Sequence, residues 1–267
     1  MIDELLALPR EWLTATGEIG RFVTGVLGDV YGLRVLRFFG ETLRQAGLMI
    51  VSSTLVIWGL VFLVGLGSCG TEGAYFLQAE GAPGYAGVFT AWCDLREAVP
   101  YVFGYMMAAK VGTGIVAELG AMRINEEIDA LEVMGVDSVT FLCATRLLAA
   151  WLVLPFMYVA GIGVAYIGSY IAVVDQVKAV SSGGYLLIFW QFQNPTDYLY
   201  SLIKGMVMAT AIVLVGCYYG YTASGGPVGV GKATAKSMVL NLVLVNLIGM
   251  LGTRVFWGAN PRAPIGG

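Results

Sequence analysis

Four acids, Glu126, Glu127, Asp129 and Glu132, crowd into one short stretch between two long apolar runs. Glu126, Asp129 and Glu132 recur every third residue, which on a helix gathers them toward one face, while Ile124, Ile128, Leu131 and Met134 fall near another. The apolar face can pack down and the acidic face can meet a basic partner. Gly135 supplies the flexible residue expected where such a helix stops. A charged loop is ordinarily just solvated, but this order and spacing predict a short helix, about 123–136, held between two spans. Three further ionisable residues, Lys110, Glu118 and Lys204, lie in or beside the apolar runs. A charge in a bilayer costs a few kcal/mol or more unless it faces a cavity or a partner, so these are intramembrane candidates for function. Glu118 sits near the end of its run, where snorkelling or capping serves equally well. Lys204 falls roughly two turns, or about 10 Å, into its span, at a depth where Arg96 and Glu97 begin the second one. The three can meet around a polar headgroup, or Glu97 can simply pair with one of the cations.

Two other patterns invite chemistry and do not support it. Gly226-Pro-Val-Gly-Val-Gly-Lys-Ala233 nearly spells a phosphate-binding loop, but the last position needs Ser or Thr to hold magnesium, and no strand precedes it. Gly65-Leu-Gly-Ser-Cys-Gly70 fits a dinucleotide fingerprint yet follows a membrane run instead of a strand; small residues for close helix contact explain it better. Gly216-Cys-Tyr-Tyr-Gly220 reads as a packing face in the same way.

Composition sets the frame for these residues. With 58% hydrophobic and only 12% charged side chains, and a mean hydropathy of +0.77, the 267-residue chain is too apolar for a soluble domain. A net charge of -3 gives no basic surface for nucleic acid. The absence of His argues against a haem-carrying or His-ligated metal site. Cys69, Cys93, Cys143 and Cys217 show no C-x-x-C spacing, so thiolate clusters are disfavoured. No basic leader with a small-residue cleavage site opens the chain, so insertion by its own spans is expected.

Five runs reach the roughly 20 residues needed to cross a hydrocarbon core of about 30 Å: 46–67, 98–122, 147–174, 199–221 and 238–258. Residues 19–40 mix Phe22, Val26, Val30, Leu33 and Leu36 with Arg21, Asp29, Arg34 and Arg37, a pattern suited to a helix lying in the membrane surface. The expected organisation is therefore a cytoplasmic or interfacial segment, 1–45, followed by a five-span domain, 46–267. With the amino end inside, the inner segments carry Arg10, Arg21, Arg34, Arg37, Arg44, Arg123, Arg146, Lys232 and Lys236. The outer ones carry only Arg96, Lys178, Arg254 and Arg262, so this orientation follows the positive-inside rule. The acidic helix then faces the cytoplasm. The outer stretches 68–97 and 175–197, rich in Gly and aromatic residues, are candidate docking surfaces, and Cys69 and Cys93 share this oxidising side as a possible disulfide.

The run V-G-T-G-I-V-A-E-L-G-A-M-R, followed by E-E-I-D-A-L-E-V-M-G-V-D, resembles the signature of the MlaE/YrbE family, the permeases of MCE-type lipid ABC transporters. Y-Y-G-Y-T-A-S-G-G-P-V-G-V-G-K-A-T resembles the family's cytoplasmic loop before the last span. L-R-E-A-V-P and S-L-I-K-G resemble stretches of the lipid-binding permeases. The resemblance implies an all-helical integral membrane fold in which Glu126, Asp129, Glu132 and Gly135 form a coupling helix seated on a separate ATPase. It assigns Arg96, Glu97 and Lys204 to the lipid path. It implies no catalysis and no cofactor in this chain, ATP and magnesium being bound by the partner. It also implies a second permease copy or a paralogue, MCE-domain proteins outside, and a bacterial inner-membrane location. Lys110 and Ser138, where many relatives carry Arg and Pro, look closer to the actinobacterial YrbE proteins. The rival expectation is a stand-alone ion-coupled transporter using Lys110, Glu118 and Lys204, which would carry internal repeats that the sequence does not show.

Overall fold

In a computed structural model, residues 2–259 are described, with side-chain surroundings from residue 17 onward. Arg262 and the side chain of Arg10, both counted in the charge asymmetry, lie outside the described residues. Among the described residues every element is helical: α1 (Ile2–Tyr31), α2 (Arg34–Ala79), α3 (Pro83–Ile124), α4 (Glu127–Val133), α5 (Thr140–Gln176), α6 (Ser182–Gln191), α7 (Pro195–Tyr221) and α8 (Gly226–Trp257). Five of them, α2, α3, α5, α7 and α8, are long and apolar enough to cross a membrane. Four of the expected spans fall inside these helices and the fifth, 238–258, overruns α8 by one residue, so the chain is an all-helical integral membrane protein.

The helices outrun the apolar segments, because in a helix every backbone bond is made internally and nothing forces a stop where hydropathy falls. The single surface helix expected over 19–40 is two elements instead. The chain leaves α1 through Leu33 in the left-handed region, φ 58°, and a 3₁₀ turn at Arg34–Phe38 runs directly into α2. Helix α2 thus passes unbroken through residues 45 and 46. At the other end α2 continues past Gly67 to Ala79, turns at Gly81 with φ 72°, and α3 begins at Pro83. The stretch 68–97, expected on the outer side, is therefore a helical hairpin, closed by a disulfide between Cys69 and Cys93. The stretch 175–197 contains α6, whose first turn is capped by the Ser181 hydroxyl accepting from the Gly184 N–H.

Close helix approach holds the bundle. The Gly65 and Gly168 backbones lie against α5 and α2 so tightly that a side chain at Gly168 would meet the Phe62 carbonyl at 2.6 Å. The Trp58 indole crosses the same interface to the Met157 carbonyl, 3.0 Å. Gly216 and Gly220 let α7 settle onto Gly112, Val116 and Leu119 of α3, which makes that glycine pair the packing face expected. Helix α7 is the most enclosed of the five, and α8 covers one side of it. Five short stretches wind as π-helix, among them Cys93–Ala98, Met107–Gly112 and Ile171–Gln176. Such bulges displace side chains from the regular helical register and gather at functional sites.

Candidate functional site

The acidic stretch forms a hinge between α3 and α5. Helix α4 begins only at Glu127, because Glu126 takes the left-handed conformation, φ 60°, and caps it from outside. Gly135, with φ 77°, ends the turn as expected. Of the predicted apolar face only Ile128 is buried and Leu131 half-buried; Ile124 is exposed, and so are Val133, at 89%, and Met134, at 69%. A seven-residue helix is too short to bury four positions against the bundle. Its acids are held unequally. Asp129 accepts from Arg123 at 2.6 Å, and Glu127 accepts from the Asn125 amide at 3.3 Å. Glu132 accepts from Ser138 at 2.7 Å and from Tyr221, at the end of α7, at 3.0 Å. The Ser138 hydroxyl and then the Tyr221 hydroxyl hold the Glu132 carboxyl below the usual glutamate value. Glu132 therefore ties the hinge to two spans, while Glu126 and Glu127 stand in solvent.

At the end of the bundle expected to face outward, the other predicted residues meet. Lys204 on α7 donates to Glu97 at 3.1 Å, to the Arg96 carbonyl at 2.8 Å and to Thr253 on α8 at 2.7 Å. Thr253 donates in turn to Glu97 at 2.7 Å. The Arg96 guanidinium turns the other way, onto Asp197 at 2.7 Å, and Asp197 also accepts from the Trp257 indole at 3.0 Å. Trp92 and Trp257 wall the guanidinium at 4.4 and 5.4 Å from its carbon. The Lys204 side chain is fully buried, whereas 43% of Glu97 is exposed. Both cations are thus neutralised within the chain, and Glu97 is the member of the knot that an outside molecule can reach. Sequence reasoning missed Asp197, Thr253 and Trp257. Asp197 follows Asn194-Pro195 and reads as a helix-start acid, with no local sign that it faces Arg96.

Glu118 has a partner as well. Arg146, counted above as an inner surface charge, is 1% exposed and reaches Glu118 at 2.8 Å. Its other bond goes to the Leu142 carbonyl at 2.6 Å. The third span begins at Thr140 and not at Leu147, so Arg146 lies inside it, where an unpaired guanidinium would be costly. Lys110 differs: it is exposed on the Met107–Gly112 bulge and makes no hydrogen bond or ion pair among the described residues. The pseudo-phosphate loop is the start of α8. The helix begins at Gly226, so Pro227 to Ala233 wind as its first two turns and not as a loop after a strand.

Sequence comparisons give the chain a family and relatives. A model of the family described as permease MlaE matches residues 42–255. A probable ABC transporter permease protein of Rickettsia bellii is 33% identical over 162 residues, 61% of this chain and 62% of that protein. The chain thus spans somewhat less than two thirds of that relative's length. The chloroplastic protein TRIGALACTOSYLDIACYLGLYCEROL 1 of Arabidopsis thaliana is 31% identical over 55% of this chain and 42% of its own. The intermembrane phospholipid transport system permease protein MlaE of Haemophilus influenzae is 26% identical over 97% of this chain and 99% of its own. The matched family segment takes in nearly all of the five spans, with Arg96, Glu97, Lys204 and the acidic hinge between the second and third, and on that evidence the chain belongs to the MlaE permease family.

Proposed function

We propose that this chain is the non-catalytic permease subunit of an ABC transporter that moves a lipid, whether fatty acid, sterol or phospholipid, across a bacterial envelope. It sits in the inner membrane with its amino terminus in the cytoplasm and pairs with a second copy or a paralogue. A cytoplasmic ATPase binds ATP and magnesium, and MCE-domain proteins receive or deliver the lipid outside. Lys110 and Ser138 are the basis for grouping it with the actinobacterial YrbE proteins.

One observation carries the reading. A single-element hinge joins two spans, presents Glu126, Glu127, Asp129 and Glu132 together with exposed Val133 and Met134, and is tied through Glu132 to Ser138 and Tyr221. An acidic rim around an apolar patch suits a basic groove on a partner. A push on such a hinge reaches α5 and α7 as a rigid-body movement. In this reading Glu126, Asp129, Glu132 and Gly135 couple the ATPase, and the knot of Arg96, Glu97 and Lys204 borders the lipid path, with Glu97 at its accessible edge.

The test is co-purification of the ATPase with the permease. Reversing Glu126, Asp129 and Glu132 to Lys should abolish ATPase attachment and lipid transport while the spans keep their thermal stability. Retention of both in the triple variant would end the proposal.

A further inference from the structure

Lys110 presents a problem that the rest of the molecule does not solve. It lies on α3, 14 positions (124 − 110) before the end of that helix, or about 21 Å along the axis. Its side chain is exposed, and the α2 surface that shares its groove carries an apolar side chain, Leu48, 49% exposed. A cation in such surroundings needs a counter-charge or water. Snorkelling toward the Glu118 end is opposed by the helix itself, because side chains lean toward the helix amino terminus, which is the opposite direction. Glu118, eight residues on, is already satisfied by Arg146.

The surroundings of Lys110 are nevertheless polar on one side. Helices α2 and α3 pack together as far as the Met107–Gly112 bulge and then part, leaving an open groove of about 150 Å³. Gln45, Ser52 and Ser53 line it from α2, and Lys110, Gly114 and Glu118 from α3. Ser52 and Ser53 bond to each other at 3.1 Å, which leaves one of the two hydroxyl hydrogens free to donate. Gly114 opens the floor, since a side chain there would meet nothing within 4 Å. The groove therefore offers one ammonium and a hydroxyl donor in a space fit for a small anionic group, beside a surface fit for hydrocarbon, while its one carboxylate, Glu118, lies eight residues from Lys110 and is neutralised by Arg146.

We propose that Lys110 and the Ser52–Ser53 pair bind the anionic oxygen headgroup of a lipid, its acyl chain lying along the apolar face of α2. This rests on reading the chain as a lipid permease and adds to it a headgroup class, carboxylate or phosphate, and a binding point separate from the outer knot. A second copy of this chain is the weaker candidate for the counter-charge. Its Glu41, Asp94, Glu97, Glu118 and Asp197 are each bonded within their own chain, and Glu72 and Asp175 lie toward the far ends of α2 and α5.

The experiment measures equilibrium binding to the full chain in phosphatidylcholine nanodiscs, with oleate and dioleoyl phosphatidate as anionic probes and oleyl alcohol and dioleoylglycerol as their neutral counterparts. The wild type should prefer one anion over its neutral counterpart at least ten-fold, and the anion preferred identifies carboxylate or phosphate. Lys110→Met should remove that preference and Lys110→Arg should keep it. Should Lys110→Met unfold, Lys110→Cys replaces it: an aminoethyl label on the introduced thiol should restore the preference and a methyl label should not. Cys143 and Cys217 are buried and the other two cysteines bonded, so the label has one target. No anion preference in the wild type, an unchanged preference in the uncharged variants, or loss of the second copy with lipid binding intact would each overturn the assignment. Co-purification of the ATPase with Lys110→Met separates these failures from failure of the permease reading, because that contact is remote from the groove.

Discussion

The charge knot at one end of the bundle and the acidic hinge between α3 and α5 hold similar residues in opposite states. At the knot Arg96, Asp197, Lys204 and Glu97 are closed on one another and on Trp257, Thr253 and the Arg96 carbonyl, with both cations almost wholly enclosed. At the hinge Glu126 and Glu127 stand in solvent, Asp129 meets a half-exposed Arg123, and two large apolar side chains lie uncovered. Charges spent on each other fix helices in place, since separating a buried pair leaves an uncompensated charge. Charges and apolar groups left open have their binding free energy still to be realised with another molecule. The first arrangement makes a rigid end, and the second a contact surface.

The largest test of that contrast is Asp197→Ala. It strands the Arg96 guanidinium and the Trp257 indole, and should cost about 3–5 kcal/mol, read as thermal unfolding in detergent. Combining it with Arg96→Ala should recover part of the loss, because the two act through one bond; strict additivity would mean that the pair is not a unit. Next comes the disulfide-closed hairpin of residues 68–97, which carries Arg96 and Glu97. Replacing Cys69 and Cys93 by Ala should lower stability by about 2–4 kcal/mol. Denatured wild-type protein should show two free thiols, Cys143 and Cys217, and four after reduction. Lys204→Met should be milder, about 1–2 kcal/mol, because the half-exposed Glu97 it leaves behind can be hydrated.

The smallest effect belongs to the hinge. The Glu132 carboxyl is held below its ordinary value in the folded state, so its contribution is fully present above the ordinary glutamate range. It is lost as pH falls through the depressed value. Tyr221→Phe and Ser138→Ala should each move that titration upward, followed by NMR of the carboxyl carbon, with little change in unfolding temperature. A large thermal loss from either would show the hinge to be structural in the manner of the knot, and the contrast would fail.

Much of this molecule was legible before any coordinates. Hydropathy located all five spans, and Gly135 and the Gly216–Gly220 pair behaved as their chemistry requires. Cys69 and Cys93 met because both sit where the first two spans emerge on one side. The helix limits were less legible. Residues 68–79 and 226–237 carry the Gly and polar content of loops, yet they wind on as helix because packed neighbours supply what propensity lacks. The apolar face assigned to 124–134 was also overstated, since periodicity says which residues share a face and not whether anything covers it.

By itself the sequence determined an all-helical membrane chain, its five crossings and the place of its acidic hinge. These follow from quantities summed over neighbouring residues: twenty apolar side chains in a row, or an acid every third position. Only the tertiary structure decided which charges answer each other. Arg96 meets Asp197 across 101 residues of chain and Lys204 meets Glu97 across 107. Such pairings are set by the depth and rotation at which whole helices pack, and no local window contains that information. The same packing that matched Arg146 with Glu118 left Lys110 without a partner among the described residues.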